Sequence, residues 1–243
     1  MTAALSVTGL GKRYGEIVVA EDLSFAVETG TCLGVIGPNG AGKTSVFNML
    51  DGTVRPDAGQ VLLDGRDVTR LKQFQRARLG IARAYQIPQP FPMLTVYENV
   101  LAAASFGAGQ QGQEAADTAM RVLQTTGLDR LGGVLAGGLA LLDRKRLELA
   151  KALAARPRVL LLDEIAGGLT EREVHLLVDL VRGLKREVAM IWIEHVAHAL
   201  TATADRLLVL HYGRKVMEGP VAATLASPEV REIYLGIRVD AAS

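Results

Sequence analysis

The sequence is poor in cysteine, in aromatic residues and in net charge: it has one cysteine, 5% aromatic residues and a formal charge of +1 at pH 7. The single cysteine, Cys32, excludes an internal disulfide and is typical of a reducing compartment, so we expect a buried thiol. The balanced charge excludes the basic footprint of a nucleic-acid-binding protein. No apolar run approaches the roughly 20 residues that span a bilayer, and no signal-peptide pattern opens the sequence. We therefore expect a soluble, cytoplasmic chain that other chains carry to any membrane.

A glycine-rich stretch at residues 35–46, VIGPNGAGKTSV, is the strongest signal in the chain. Its spacing is that of a phosphate-binding loop, in which backbone N–H groups cradle phosphates, a lysine reaches the β- and γ-phosphates and a hydroxyl binds Mg²⁺. A strand predicted at 31–36 and a helix at 43–50 give the required context, since the helix N-terminus would face the anion. This context disfavours the alternative, a plain glycine turn before a helix. The predicted ATP-binding residues are Gly37, Pro38, Asn39, Gly40, Ala41, Gly42, Lys43, Thr44 and Ser45, with Thr44 also predicted as a metal ligand.

Short strand patterns separated by glycines and charged turns predict an antiparallel β layer in the N-terminal region; they lie at 5–8, 17–19, 23–27 and 31–36. Further strands are predicted at 60–63 and from residue 80. Prolines at 88, 90 and 92 exclude a helix or a central strand, so residues 86–92 are predicted to form a loop.

Residues from about 90 to 138 are predicted to form an all-helical insert. A capping box at Thr95 and Glu98 opens a helix over 96–106, and an amphipathic pattern predicts a second helix over 114–126. A third strong helix pattern follows at 139–154. Together these define a predicted helical subdomain of residues 90–155.

The remaining sequence alternates apolar strand patterns with helices. A helix is predicted from 170 to 184, and the strands are predicted at 159–163, 188–193, 206–211 and 215–218. This alternation predicts an α/β fold with a mostly parallel sheet core and helices on both faces. We expect one domain of residues 1–243 that ends in a β and helical tail at 200–243.

Several polar residues lie at the predicted carboxyl ends of strands, where ligands bind in such sheets. Asp163 fits an acid that holds Mg²⁺ through water, and Glu164 fits a general base for the attacking water. Gln86 fits a residue that orients this water and contacts Mg²⁺, and His195 fits a donor to the γ-phosphate. Tyr14 fits a platform for adenine. The plainer alternatives are a helix cap or surface carboxylate for the acids, a polar loop residue for Gln86, and structural roles for His195 and Tyr14.

In order and spacing these residues resemble the ATP-binding subunit of ABC transporters over nearly the whole chain. The matching features are the aromatic loop at Tyr14, the Walker A loop at 37–44, the Q-loop at Gln86, the Walker B end at Asp163 and Glu164, and the switch histidine His195. Finer features look like the subunits of branched-chain amino acid importers and their amide or urea relatives; these are the stretches 46–48, 80–86, 94–100, 146–150, 193–195, 211–219 and 234–236.

The resemblance implies a P-loop NTPase fold of ABC ATPase type, ATPase activity, and ATP and Mg²⁺ as cofactors. It also implies a peripheral position on the cytoplasmic face of the inner or plasma membrane, held there by transmembrane permease subunits. A periplasmic or extracellular solute-binding protein would be an indirect partner. In the family, ATP lies between two cassettes, one supplying Walker loops and the other a signature loop of the Leu-Ser-Gly-Gly-Gln type.

The signature is where this sequence departs from the family. Counting back from Asp163 at the family's spacing places it at residues 139–143, where Ala140 replaces the serine and Leu142 replaces the final glycine. Ala140 has no hydroxyl to donate to a phosphate, and the side chain of Leu142 obstructs a close backbone approach. Thr170 also stands where the family's D-loop usually has Asp or Asn. We expect a heterodimer with one strong and one degenerate site; a homodimer that relies on backbone donors is the alternative.

The sequence thus predicts an ATP-hydrolysing subunit that powers an importer of branched-chain amino acids or a related small polar solute. Permease helices are expected to dock near Ile87, Phe91 and Met93, whose alternative role is packing within the insert. The main alternative function is an ATP-binding regulatory subunit with little turnover, because residues 139–143 are degenerate. A soluble ABC protein of translation or DNA repair is disfavoured because the sequence has neither a second cassette nor a long coiled coil.

Overall fold

The structure, a computed structural model, describes residues 3–235, which form two β-sheets surrounded by helices. The first sheet comprises β1 (Leu5–Tyr14), β2 (Ile17–Val27), β4 (Ala58–Leu63) and β5 (Arg66–Asp67), in the spatial order β2-β1-β4-β5. The second comprises β3 (Cys32–Ile36), β6 (Ile81–Ala84), β7 (Val159–Asp163), β8 (Ala189–Ile193), β9 (Arg206–His211) and β10 (Arg214–Pro220), in the order β10-β9-β3-β8-β7-β6. The last part of the predicted tail, residues 236–243, and with it the end of the 234–236 stretch, lies outside the described residues.

The six-stranded sheet is parallel except at one edge. β3 pairs in parallel with β8 and β9, and β7 pairs in parallel with β6 and β8, whereas β10 pairs antiparallel with β9. Every residue of β3, β7 and β8 is buried, because helices and the other sheet cover both faces. This confirms the predicted α/β class with a mostly parallel core.

The N-terminal layer is antiparallel as predicted, but its membership differs from the prediction. The sequence predicts residues 31–36 as a strand of this layer, but they form β3, which lies inside the parallel sheet. The reason is that an entirely apolar strand needs cover on both faces. The three short predicted strands at 5–8, 17–19 and 23–27 are two long ones. Gly9 lies within a register shift of β1 at a φ of 59°, so it forms a bulge rather than a turn.

The helices in the described residues are α1 (Lys43–Asp51), α2 (Gln73–Leu79), α3 (Val96–Gly107), α4 (Gly112–Thr126), α5 (Leu141–Ala154), α6 (Glu171–Leu184), α7 (Ala197–Thr203), α8 (Val221–Ala226) and α9 (Pro228–Leu235). Both predicted capping boxes form: Thr95 and Glu98 cap α3, and Thr170 and Glu173 cap α6. α5 begins two residues later than predicted and α4 two residues earlier. No helix in the described part of the chain is long and apolar enough to cross a membrane.

Three hydrophobic clusters hold these layers together. One packs the antiparallel sheet and α1 against one face of the parallel sheet, and the second packs α6 and α7 against the other face. The third lies among α3, α4 and α5. α5 belongs to two clusters, because Leu149 faces the parallel sheet while Leu147 and Ala150 face α3 and α4. Cys32 is buried in the second cluster, as expected, and this burial raises the pKa of its thiol to about 12, so the thiol is protonated.

Arg76 of α2 is buried and closes the C-terminal end of α1. Its guanidinium donates to the carbonyls of Met49 and Leu50 at 2.5 and 2.8 Å, and to those of Thr69 and Leu71 at 2.7 and 3.1 Å. The last carbonyls of a helix have no partner within the helix, so this side chain satisfies groups that are buried away from water.

We expect Arg76→Ala to lower the free energy of unfolding by about 3 kcal/mol, because several buried carbonyls lose their donor at once. Urea denaturation followed by circular dichroism measures this change. Arg78→Ala is the matched control, since Arg78 is exposed on the same helix and should change stability by less than about 0.5 kcal/mol. Equal effects of the two substitutions would contradict the capping role.

Candidate nucleotide-binding site

The glycine-rich loop runs from the end of β3 to the start of α1 and is held tightly by neighbouring backbone. A Cβ at Gly37 would lie 2.2 Å from the carbonyl oxygen of Leu210, and a Cβ at Gly42 would lie 2.2 Å from that of Val19. Gly42 precedes the helix at a φ of 100°, a conformation that favours glycine. The loop is therefore a preformed concave backbone at a helix N-terminus, which suits a phosphate chain.

Lys43 is the first residue of α1, and its side chain folds back over the loop. Its Nζ donates to the carbonyl oxygens of Gly37 at 2.7 Å and Pro38 at 3.1 Å. Burial lowers the pKa of Lys43, while the carboxylates of Glu164 and Asp163 act in the opposite direction. The ammonium group thus lies between the loop and the acids of β7, where it can meet the phosphates of a nucleotide.

The polar residues predicted at strand ends converge beside this loop. Glu164 directly follows β7 and has a positive φ of 45°, a backbone strain that often marks functional sites. The carboxamide of Gln86 donates to Glu164 Oε2 at 2.6 Å, and His195 Nδ1 lies 3.8 Å from the same oxygen. A carboxylate, a carboxamide and an imidazole at one point can bind and polarise a water molecule.

Tyr14 lies at the end of β1, next to the hairpin that leads into β2. Its ring is 51% exposed, and Lys12 Nζ lies 5.2 Å from the ring centroid. β2 also lies against the glycine-rich loop, because a Cβ added at Gly42 would clash with the carbonyl oxygen of Val19. An exposed aromatic ring on this hairpin is available for stacking, and its role with adenine stays a prediction.

The segment at 139–143 forms the start of α5. Ala140 is the N-cap residue and provides no side-chain cap, and Leu142 lies in the first turn. Asp143 adds a negative charge to this turn and pairs with Arg146 at 3.4 Å. An N-cap without a hydroxyl, a leucine and an acid make this helix end a poor partner for phosphate. Thr170, the D-loop departure, is occupied in capping α6.

Sequence reasoning missed a set of charged α5 side chains that grip the loop after β6. Lys145 Nζ donates to the carbonyl of Gln86 at 2.5 Å, and Lys151 Nζ donates to that of Gln89 at 2.7 Å. Glu148 accepts the Gln89 N–H at 3.1 Å and pairs with Lys151 at 2.8 Å. The available signal was the spacing of these charges by three residues along a predicted helix, which places them on one side of it.

Glu194 follows an apolar strand, at one of the strand ends predicted to meet at the phosphate, but sequence reasoning assigned it no role. Its buried carboxylate accepts the backbone N–H groups of Ala166 at 3.0 Å, His195 at 2.9 Å and Val196 at 3.3 Å. It therefore fixes the segments that follow both β7 and β8. Its position at a strand end gave a signal, but the backbone groups that it binds could not be foreseen.

A glycine-rich loop at a helix N-terminus, beside two consecutive acids at the end of β7, defines a nucleotide-binding ATPase of the phosphate-loop class. The chain belongs to the ABC transporter family, whose family model matches residues 20–167. It is an ABC-type ATPase and the ATP-binding subunit of a transporter, so the resemblance and fold class expected from the sequence are confirmed. Subunits of this family dimerise and work with transmembrane permeases.

Individual relatives agree with this assignment. The chain is 35% identical to the lipopolysaccharide export system ATP-binding protein LptB of Acidithiobacillus ferridurans, over 97% of this chain and 98% of that protein. It is 34% identical to the high-affinity branched-chain amino acid transport ATP-binding protein BraF of Pseudomonas aeruginosa, over 96% and 97% of the two chains. A solved ATP-binding cassette of an ABC transporter in its ADP conformation superposes with a TM-score of 0.88 at 27% identity, covering 98% of this chain and 100% of that one.

Proposed function

We propose that this chain binds ATP with Mg²⁺ and hydrolyses it to power a membrane importer for branched-chain amino acids or a related small polar solute. The observation that carries the proposal is the 2.6 Å contact between Gln86 and Glu164 beside the phosphate loop. This contact supports the proposal because it holds a carboxylate and a carboxamide together beside the phosphate loop, as a general base and a water-orienting residue require.

Each site residue has a proposed role in this reaction. The loop from Gly37 to Ser45 holds the phosphates through backbone N–H groups and Lys43. The Thr44 hydroxyl, Gln86 and Asp163 would hold Mg²⁺, which supplies charge neutralisation when bound. Glu164 accepts a proton from the attacking water, and His195 donates to the γ-phosphate.

Relatives of this chain serve both kinds of transport, at nearly equal identity. BraF of Pseudomonas aeruginosa serves branched-chain amino acid transport, whereas LptB of Acidithiobacillus ferridurans serves lipopolysaccharide export at nearly the same identity. The sequence stretches that resemble importer subunits favour the first. Ile87, Phe91 and Met93 are exposed, and this apolar surface beside Gln86 suits permease helices on the cytoplasmic face. A solute-binding protein would deliver the cargo on the other side.

The direct test is cargo uptake in a strain that lacks this gene. We expect uptake of labelled leucine, or of urea or a short amide, to fall to background. The wild-type gene should restore it, and a Glu164→Gln copy should not. Normal uptake of all three solutes together with a defect in lipopolysaccharide export would contradict the importer proposal.

We further propose that this cassette pairs with a different one, because its own 139–143 segment suits phosphate poorly. Leu142→Gly should raise ATP turnover by the purified chain about 10-fold, since it removes a side chain from the place where a backbone donor must approach phosphate. Turnover is measured by phosphate release at saturating ATP, and Leu142→Ala, which keeps a Cβ, should gain much less. Fast turnover by the wild-type chain that either substitution impairs would contradict the heterodimer.

The second candidate function is an ATP-binding regulatory subunit with little turnover. Leu142 and Asp143 in the first turn of α5 favour it, because a pair of identical chains would lack a good signature on both sides. This candidate predicts slow turnover even when the complete transporter is assembled, whereas the importer ATPase predicts fast turnover in that state.

A further inference from the structure

Arg83 of β6 has no role in the proposed reaction, yet its side chain binds residues of two elements that form the site, β7 and α1. Its Nη2 donates to Oδ2 of Asp163 at 2.5 Å. Its Nη1 donates to Oδ2 of Asp51 at 2.7 Å and to Oδ1 of Asn48 at 2.8 Å. One guanidinium therefore joins the acid at the end of β7 to two side chains of α1, the helix that begins with the phosphate loop's lysine.

The surroundings of this guanidinium hold it in one orientation. It lies 4.8 Å from the ring centroid of Tyr85 and 5.4 Å from that of Phe47. The side chains of Arg83, Asp51 and Asp163 are 5%, 4% and 8% exposed. Burial acts to lower the pKa of Arg83, but hydrogen bonds and charge from Asp163 and Asp51 outweigh it and raise that pKa. The Arg83 guanidinium, which bridges Asp163 and α1, is thus permanently charged, planar and shielded from water.

The geometry leaves part of the Asp163 carboxylate available. Arg83 binds only Oδ2, so Oδ1 can still face a metal or its water shell. Because the same guanidinium also binds α1, the carboxylate keeps a fixed relation to the helix that carries Thr44. Partners of this kind orient metal-binding carboxylates and tune their affinity.

We propose that Arg83 is a positioning residue that sets Asp163 relative to Thr44, so that the site gains nucleotide affinity when Mg²⁺ is present. The proposal rests on the proposed function, in which both residues would hold Mg²⁺. Arg83 touches neither nucleotide nor metal and acts through Asp163. The part of ATP affinity that comes from the loop alone does not depend on it.

The test measures binding of a fluorescent ATP analogue to the full chain, once with EDTA and once with Mg²⁺. Arg83→Lys keeps the charge but cannot bridge two acids with a planar fork. We expect the affinity in EDTA to stay within about 2-fold of wild type, and the gain on adding Mg²⁺ to fall about 10-fold. Asp51→Asn, which weakens only the α1 side of the bridge, should lower the gain in the same direction by a smaller factor.

Arg158→Lys is the matched control. Arg158 is ion-paired with Asp64 but lies just before β7, at the opposite end of the sheet from the site, so both affinities should match wild type. Two results for Arg83→Lys would overturn the proposal and assign Arg83 a purely structural role. One is an equal loss of ATP-analogue affinity in EDTA and in Mg²⁺. The other is a wild-type gain in affinity on adding Mg²⁺, together with a lower melting temperature. If Arg83→Lys fails to fold, Asp51→Asn decides. Absence of ATP binding by the wild-type chain would instead overturn the proposed function itself.

Discussion

Glu164→Gln is expected to lower ATP turnover about 1,000-fold while leaving ATP affinity within about 2-fold of wild type. Glutamine fills the same space and can still pair with Gln86, but it cannot accept a proton from the attacking water. The loop and Lys43, which we propose as the phosphate-binding groups, are unchanged. Single-turnover phosphate release and equilibrium binding of a fluorescent ATP analogue measure the two quantities separately.

Glu171→Gln provides the matched control for this substitution. Glu171 is an exposed carboxylate in the first turn of α6, so its change should leave both turnover and affinity as in wild type. If Glu164→Gln retained wild-type turnover, another group would be the base. If it instead abolished ATP binding, Glu164 would be part of the binding surface rather than a catalytic residue.

Gly42→Ala is expected to weaken ATP binding at least 100-fold, because the loop cannot keep its shape with a side chain there. The added Cβ would lie 2.2 Å from the Val19 carbonyl oxygen, and the backbone φ of 100° is itself unfavourable for alanine. The loop must move away from β2, which displaces the backbone N–H groups that we propose bind phosphate. Calorimetric titration with ATP measures the loss, and circular dichroism confirms that the sheet remains folded.

Gly65→Ala separates the steric clash from the backbone strain. Gly65 has a similar φ of 79° in the β4–β5 turn, and a Cβ there would meet nothing within 4 Å. It should cost about 1 kcal/mol of stability and leave ATP affinity unchanged. Wild-type ATP affinity in Gly42→Ala would show that the phosphates are held elsewhere.

Local signals in the sequence predicted the features that depend on consecutive residues. The phosphate loop needs glycines at fixed spacing, and a buried strand that ends in Asp163 and Glu164 can be read from six residues. Both capping boxes formed for the same reason. α2 escaped prediction because its N-cap is Lys72, which is not a usual capping residue, and the Gln75 side chain caps the Lys72 N–H instead.

Features that depend on distant partners could not be predicted from the sequence. Arg83 lies 80 residues from Asp163, and no pattern around either indicates that they meet. The prediction for β3 was wrong because it grouped the strand with those that precede it in the chain, although a continuous apolar run is typical of a parallel strand covered on both faces. The grip of Lys145 and Lys151 on the loop after β6 likewise depends on how α5 packs between two hydrophobic clusters.

We propose that the loop and Glu164 of this chain hydrolyse ATP, while its 139–143 segment leaves the opposite site weak. The most direct measurement is ATP turnover of the assembled transporter with one glutamate replaced at a time. Glu164→Gln in this chain alone should lower turnover about 1,000-fold, whereas the equivalent change in the partner cassette alone should lower it less than about 2-fold. Equal losses from the two changes, or a loss confined to the partner's change, would contradict the claim.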